Sequence, residues 1–243
     1  KWPPYICVFT DHSMPTKLFI KLKMVGLRLL QVVQWMPKRL QRLGRHLQHF
    51  CWSSGMWWVE LSYLLLDIIG VPELYETLPD FIKWNSRGLT PEEYELLFPI
   101  FGDSIHYERV RIDERAYLGP PQMKICYVSF YTINSWGAMN PALLVHEMVH
   151  VWQFQQWGSV YIPRALQAQS SAEGYNYGGA PRVVNWARQD GRLEDFNLEQ
   201  QADLVADCWR LQHGWRTQWG PAGPADLPYY FHFVNQLQAR RAR

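Results

Sequence analysis

His146, Glu147 and His150 stand in the order H-E-x-x-H within Asn140-Pro141-Ala142-Leu143-Leu144-Val145-His146-Glu147-Met148-Val149-His150-Val151-Trp152-Gln153. Helical spacing of four sets both imidazoles on one face, where they can hold one zinc ion. Glu147, beside that face, can reach a water on the metal and take its proton. Two ligands and a base on one helical turn are most of a hydrolytic metal site.

The surrounding residues are those a helix needs. Asn140 is a natural N-cap, and Pro141 suits the first helical position because its missing N–H is not required there. Leu143, Leu144, Val145, Met148, Val149 and Trp152 supply apolar faces, and no Gly or Pro interrupts the run before Gly158. The bland alternative is a buried helix with two hydrogen-bonded histidines, but two His and a Glu in an apolar helix are costly without a purpose.

Catalytic zinc usually takes three protein ligands and keeps one position open, so a third donor is expected downstream. Glu199 is the preferred candidate. It lies in Asn197-Leu198-Glu199-Gln200-Gln201-Ala202-Asp203, where Asn197 and Gln200 have capping-box spacing. Asp203, one turn later on the same face, could accept a hydrogen bond from a ligating His and fix its tautomer. Competing donors are Glu194 and Asp195 on a presumed loop, and Asp207 and His213 further along.

H-E-x-x-H followed by a helix carrying E-x-x-x-D resembles the gluzincin branch of the zincin metallopeptidases. That resemblance implies His146, His150 and Glu199 as zinc ligands, Glu147 as general base and Asp203 as support for a ligand. The spacing between the two motifs is longer than in thermolysin-like members. Three stretches, 143–153, 161–166 and 197–202, also resemble the metallopeptidase effector domains attached to VgrG spike proteins of bacterial type VI secretion. The likeness covers roughly residues 89 to 210. It implies a secreted antibacterial toxin domain, fused to a secretion spike and delivered to a target cell, in its periplasm. A catalytically silent zincin scaffold that binds a membrane or a protein is the alternative.

The elements that must position these residues are expected to give an α+β, mostly helical fold with a small sheet beside the H-E-x-x-H helix. Residues 1–88 are expected to form an N-terminal basic and apolar helical segment, and 89–243 the zincin-like catalytic domain. Residues 17–50 read as one or two helices, broken near Pro37, and Met56 to Ile69 as another. From His12 to Val59 there is no acidic residue, against eight Lys and Arg. Residues 60–243 carry 21 acidic and 15 basic side chains. The basic stretch could contact a membrane surface or an acidic partner. The preferred expectation is a helical layer whose Lys and Arg point into water. Charges interrupt each apolar run well before a clean membrane span.

Thr90-Pro91-Glu92-Glu93 starts a helix that Pro99 is expected to end. Ile105 to Ile112 and Lys124 to Ile133 read as strands. The second, as a sheet edge, could pair with an extended peptide or protein substrate over the metal. Gly174-Tyr175-Asn176-Tyr177-Gly178-Gly179 reads as a loop from which Tyr175 or Tyr177 could donate to a transition-state oxyanion; His213 is a further candidate for that task. A linker follows Trp219, then a closing segment and a basic tail.

Cys7, Cys51, Cys126 and Cys208 form no C-x-x-C pair, which argues against a cysteine metal site. Buried free thiols are preferred to disulfides. No phosphate-binding glycine loop occurs, and no nucleic-acid partner is expected. A chain starting at Lys1 without a secretory signal pattern reads as a piece or processed product of something longer.

Overall fold

A computed structural model describes residues 14–82, 86–115 and 126–240, with side chains from Leu18 onward. The fold is α+β and mostly helical, with a three-stranded sheet. Two compact units are present. The first takes the described residues within 1–91, 107–136 and 156–160; the second takes those within 92–106, 137–155 and 161–243.

The first unit begins with α1 (Met14–Gln48), α2 (Gly55–Ile68) and α3 (Val71–Ile82). α1 is a single helix that runs through Pro37 without ending there. Pro37 and Val33, whose carbonyl loses its helical donor to the proline ring, both lie on the exposed side. Ser54 caps α2 by accepting from the Trp57 N–H.

The charges of α1 do not all point into water. Lys21, Arg28, Gln31 and Arg39 are buried along one stripe of the helix. They face Glu73, Glu76 and Asp80 of α3. Arg28 Nη2 lies 2.7 Å from Asp80 Oδ2, Arg39 pairs with Glu73, Lys21 donates to the Asp80 carbonyl, and Gln31 donates to Glu73 at 2.8 Å. The acids that pair with these cations sit about 34 to 52 residues later in the chain, which is why the basic run looks unpaired when read locally.

The strands are shorter than the sequence suggests. Of the first expected run only Arg111–Asp113 (β1) is strand, because Tyr107–Arg109 closes a 3-10 turn with Val110 N–H on the Tyr107 carbonyl. The second run folds back on itself as β2 (Tyr127–Ser129) and β3 (Thr132–Asn134); its first residues, 124 and 125, lie outside the described residues. Phe130 takes the left-handed conformation at φ 62°. The Tyr131 N–H is taken by Glu76 Oε1 at 2.7 Å, so a side chain from α3 pins the turn and ends the strand. The sheet order is β1-β3-β2, with β1 parallel and β2 antiparallel to β3.

The second unit is built from α4 (Pro91–Phe101), most of α5 (Pro141–Trp157), α6 (Tyr161–Gln169), α7 (Gly179–Arg188), α8 (Leu198–Gln212) and α9 (Leu227–Gln238). α4 continues past Pro99 to Phe101. α5 and α8 are buried on nearly every face, polar residues included. Asn140 accepts from Leu143 N–H at the start of α5, and Asn197 with Gln200 forms a reciprocal cap at the start of α8. Both helices that carry the candidate site residues therefore begin at fixed points. α5 stops at Gly158, whose φ of 74° favours glycine.

Among the described residues Cys51, Cys126 and Cys208 are free thiols; Cys208 is buried and Cys51 exposed, while Cys7 lies outside the described residues. No described helix is long and apolar enough to cross a membrane.

Candidate metal centre

Three buried donor atoms meet in the second unit. His146 Nε2 and His150 Nε2 are 3.2 Å apart, and each lies 3.4 Å from Glu199 Oε2. A cation held tetrahedrally with bonds of about 2.0–2.1 Å separates its ligands by about 3.3–3.4 Å, so the triangle has the dimensions of one face of a zinc site. These three are the cluster of His, Cys, Asp or Glu donors that the described residues offer for a metal.

Hydrogen bonding turns that geometry into chemistry. His146 Nδ1 lies 2.7 Å from Asp203 Oδ1, and His150 Nδ1 lies 2.8 Å from Gln153 Oε1. Both partners are oxygens, because Gln153 commits its amide nitrogen to the Leu198 carbonyl and Gln201 Oε1. Each imidazole therefore donates through Nδ1, and a neutral ring then aims the Nε2 lone pair inward. Glu199 Oε2 is buried without a hydrogen-bond donor. Three acceptors converging without a donor call for a cation.

The ionisation behaviour agrees. Burial alone would lower the His146 pKa, but the hydrogen bond to Asp203, the adjacent Glu199 carboxylate and the Glu147 charge outweigh it, and the group is pushed up to about 10. Burial opposes charge on Glu199 too, yet the two imidazoles hold its carboxyl well below the usual carboxylate range. The grouping of these side chains thus favours a positive charge between them.

Glu147 is buried with Oε2 free of hydrogen bonds. Burial raises its pKa, with His146 and His150 pulling the other way. Gln169 Nε2, from α6, donates to Glu199 Oε1 at 2.8 Å and leaves Oε2 to the histidines. Trp219 Nε1 donates to Asp203 Oδ2, extending the chain of contacts outward from His146.

The loop tyrosines separate. Tyr175 lies with its ring 6.0 Å from that of His146, half-buried, and burial together with the Glu199, Glu147 and Asp203 charges keeps its hydroxyl protonated. Tyr177 is fully buried, donates to Asp207 Oδ2 at 2.6 Å and lies 3.0 Å from the Tyr230 hydroxyl. The competing donors are engaged elsewhere. Asp207 accepts from Tyr177, Arg210 and the Gln218 and Trp219 N–H groups, and His213 stacks on Trp209 at the end of α8. Glu194 pairs with Arg192 and Arg240, and Asp195 caps a 3-10 turn.

Gln153 and Gln169 are the residues that sequence reasoning passed over. Gln153 had a local signal, since it stands three residues after His150 on the same helix. Gln169 had none.

No family model matches the chain, and no solved structure matches it. Over 137 residues it is 32% identical to the type VI secretion system spike protein VgrG2b of Pseudomonas aeruginosa. The alignment takes in 50% of this chain and 13% of that protein.

Proposed function

We propose that this chain is a zinc-dependent metallopeptidase domain related to type VI secretion, acting as a toxin on peptide or protein substrates in a recipient cell. The partial likeness to a spike protein supports the link to secretion. The convergence of His146 Nε2, His150 Nε2 and Glu199 Oε2 is the observation that carries the chemistry.

In this reading His146, His150 and Glu199 would hold zinc. Zinc supplies a Lewis acid that polarises the scissile carbonyl and acidifies water. Glu147 takes a proton from the attacking water and returns it to the leaving amine; its unpartnered, buried Oε2 has no competing hydrogen bond to give up. Asp203 and Gln153 hold the two imidazoles in the tautomer that ligates. Tyr175, kept as a neutral phenol, donates to the oxygen on which negative charge develops.

The deciding measurement pairs metal analysis with peptidase assay. Wild type binds one zinc per chain and cleaves an unfolded protein substrate, and Glu147→Gln binds zinc without cleaving. Activity that survives complete metal removal sinks the reading. Expression directed to the periplasm or retained in the cytoplasm, for wild type and Glu147→Gln, tests where the toxin acts.

A further inference from the structure

The helical layer of the first unit is inverted relative to an ordinary amphipathic one. The buried stripe of α1 is Lys21, Met24, Arg28, Gln31, Trp35 and Arg39, mostly polar. Its exposed face is apolar: Phe19 is 60%, Leu29 64% and Val33 71% accessible. α2 and α3 repeat the arrangement. Asp67, Glu73, Glu76 and Asp80 are buried, while Ile69 at the end of α2 and Ile82 at the end of α3 are 73% and 74% exposed. Helices in water turn their apolar stripe inward, and apolar faces of this extent on a folded protein mark a surface made to be covered. Ionisable side chains that face the bundle and pair with one another are the arrangement used by helices in lipid.

Charge at the surface identifies the cover. No acidic side chain of the described α1–α3 residues is exposed, and Glu60, half-buried, pairs with His46. Among the described residues the exposed charged side chains of the three helices are Lys23 and Arg45, both basic. A second copy of the chain would oppose cation to cation with no acid to pair. An anionic lipid surface offers both an apolar phase and the opposite charge. Phe50, Trp52 and Trp58 cluster at the α1–α2 turn, with Trp52 and Trp58 edge to face at 5.3 Å. Aromatic side chains of this kind favour the boundary between headgroups and acyl chains.

We infer that the outward face of α1–α3 docks into one leaflet of an anionic phospholipid bilayer. The helices lie in the interface and do not span it, in keeping with the lack of any described helix long and apolar enough to cross. The contact is made by the apolar face; Lys21, Arg28 and Arg39 of the basic stretch are buried away from it. The inference is independent of the metal site.

The test is flotation of the full 243-residue chain with vesicles of phosphatidylglycerol and phosphatidylcholine, and with phosphatidylcholine alone. Wild type floats with the anionic vesicles, more weakly with the neutral ones, and its tryptophan emission shifts to the blue. Leu29→Glu with Val33→Glu lowers the partition at least about tenfold, since binding scales with buried apolar area. Ile69→Glu with Leu78→Glu does the same from the other two helices, and circular dichroism verifies that each variant is folded. Failure of wild type to float with either vesicle overturns the inference. So does equal flotation of folded variants, or a dimer in sedimentation that Leu29→Glu with Val33→Glu dissociates without any lipid binding.

Discussion

His146 Nδ1 and Asp203 Oδ1 stand 2.7 Å apart, joining α5 to α8 one turn beyond Glu199. Asp203 thereby decides which nitrogen of His146 is left to face the other two donors. Because Glu199 and Asp203 are four residues apart on one helix, a single docking of α8 against α5 sets both the third donor and the tautomer of the first. Asp203→Asn is expected to weaken zinc affinity by about 10- to 100-fold, with activity recovering at high zinc. Competition with a fluorescent chelator measures this; unchanged affinity removes Asp203 from the site.

Gln153 does for His150 what Asp203 does for His146, and also ties α5 to the Leu198 carbonyl at 2.9 Å. Gln153→Leu therefore has two effects. On the proposed zinc site, affinity for the metal is expected to fall by about tenfold or more. Stability falls by about 1–3 kcal/mol, because the Leu198 carbonyl loses a buried donor. Denaturant unfolding with and without zinc separates the two effects.

Tyr175 and Tyr177 give opposite expectations from the same loop. Tyr175→Phe should keep zinc and stability and lower kcat by about 10²- to 10³-fold with little change in KM, as loss of an oxyanion donor does. Tyr177→Phe should leave kcat near wild type and lower stability by about 1–2 kcal/mol, since Asp207 Oδ2 loses its phenolic donor. A loss of kcat confined to Tyr177→Phe would reverse the roles assigned to the two residues.

The parts of the site that lie within one helix were legible. The four-residue spacings His146–His150 and Glu199–Asp203, and the caps at Asn140 and Asn197, follow from helix periodicity. The parts that depend on elements meeting were not. Gln169 becomes relevant only because α6 brings it to Glu199. The break at Phe130–Tyr131 interrupts a run of strand-forming residues because Glu76, more than fifty residues earlier, takes the Tyr131 N–H. Buried Arg28 and Arg39 misled for the same reason: their partners, Asp80, Glu76 and Glu73, are remote in sequence.

Gly158 tests how firmly the end of α5 is held. Its φ is 74°, and a Cβ placed there would stand 2.3 Å from Asp67 Oδ2 and 2.7 Å from Arg42 Nη1. Asp67 is committed, accepting from the Ser159 N–H at 3.0 Å and from its hydroxyl. Gly158→Ala thus combines left-handed strain with a clash against a buried carboxylate, and about 2–4 kcal/mol of destabilisation is expected. A melting temperature within a degree of wild type would show that the contact gives way freely.

Glu76 makes a pH prediction for the first unit. Burial pushes its carboxyl up to about 7 from 4.5, against the pull of Arg28 and the Tyr131 N–H. The folded protein then holds a proton that the unfolded chain has already released over that interval. The contribution is therefore full below about pH 4.5 and is lost as pH rises through about 7. Glu76→Gln removes the titration and keeps an oxygen for Tyr131. Wild type should lose stability relative to this variant between pH 5 and pH 8, by on the order of 3 kcal/mol at most. Thermal unfolding of both proteins across that range decides it: parallel curves would mean that Glu76 is already ionised at pH 5, with Arg28 outweighing its burial.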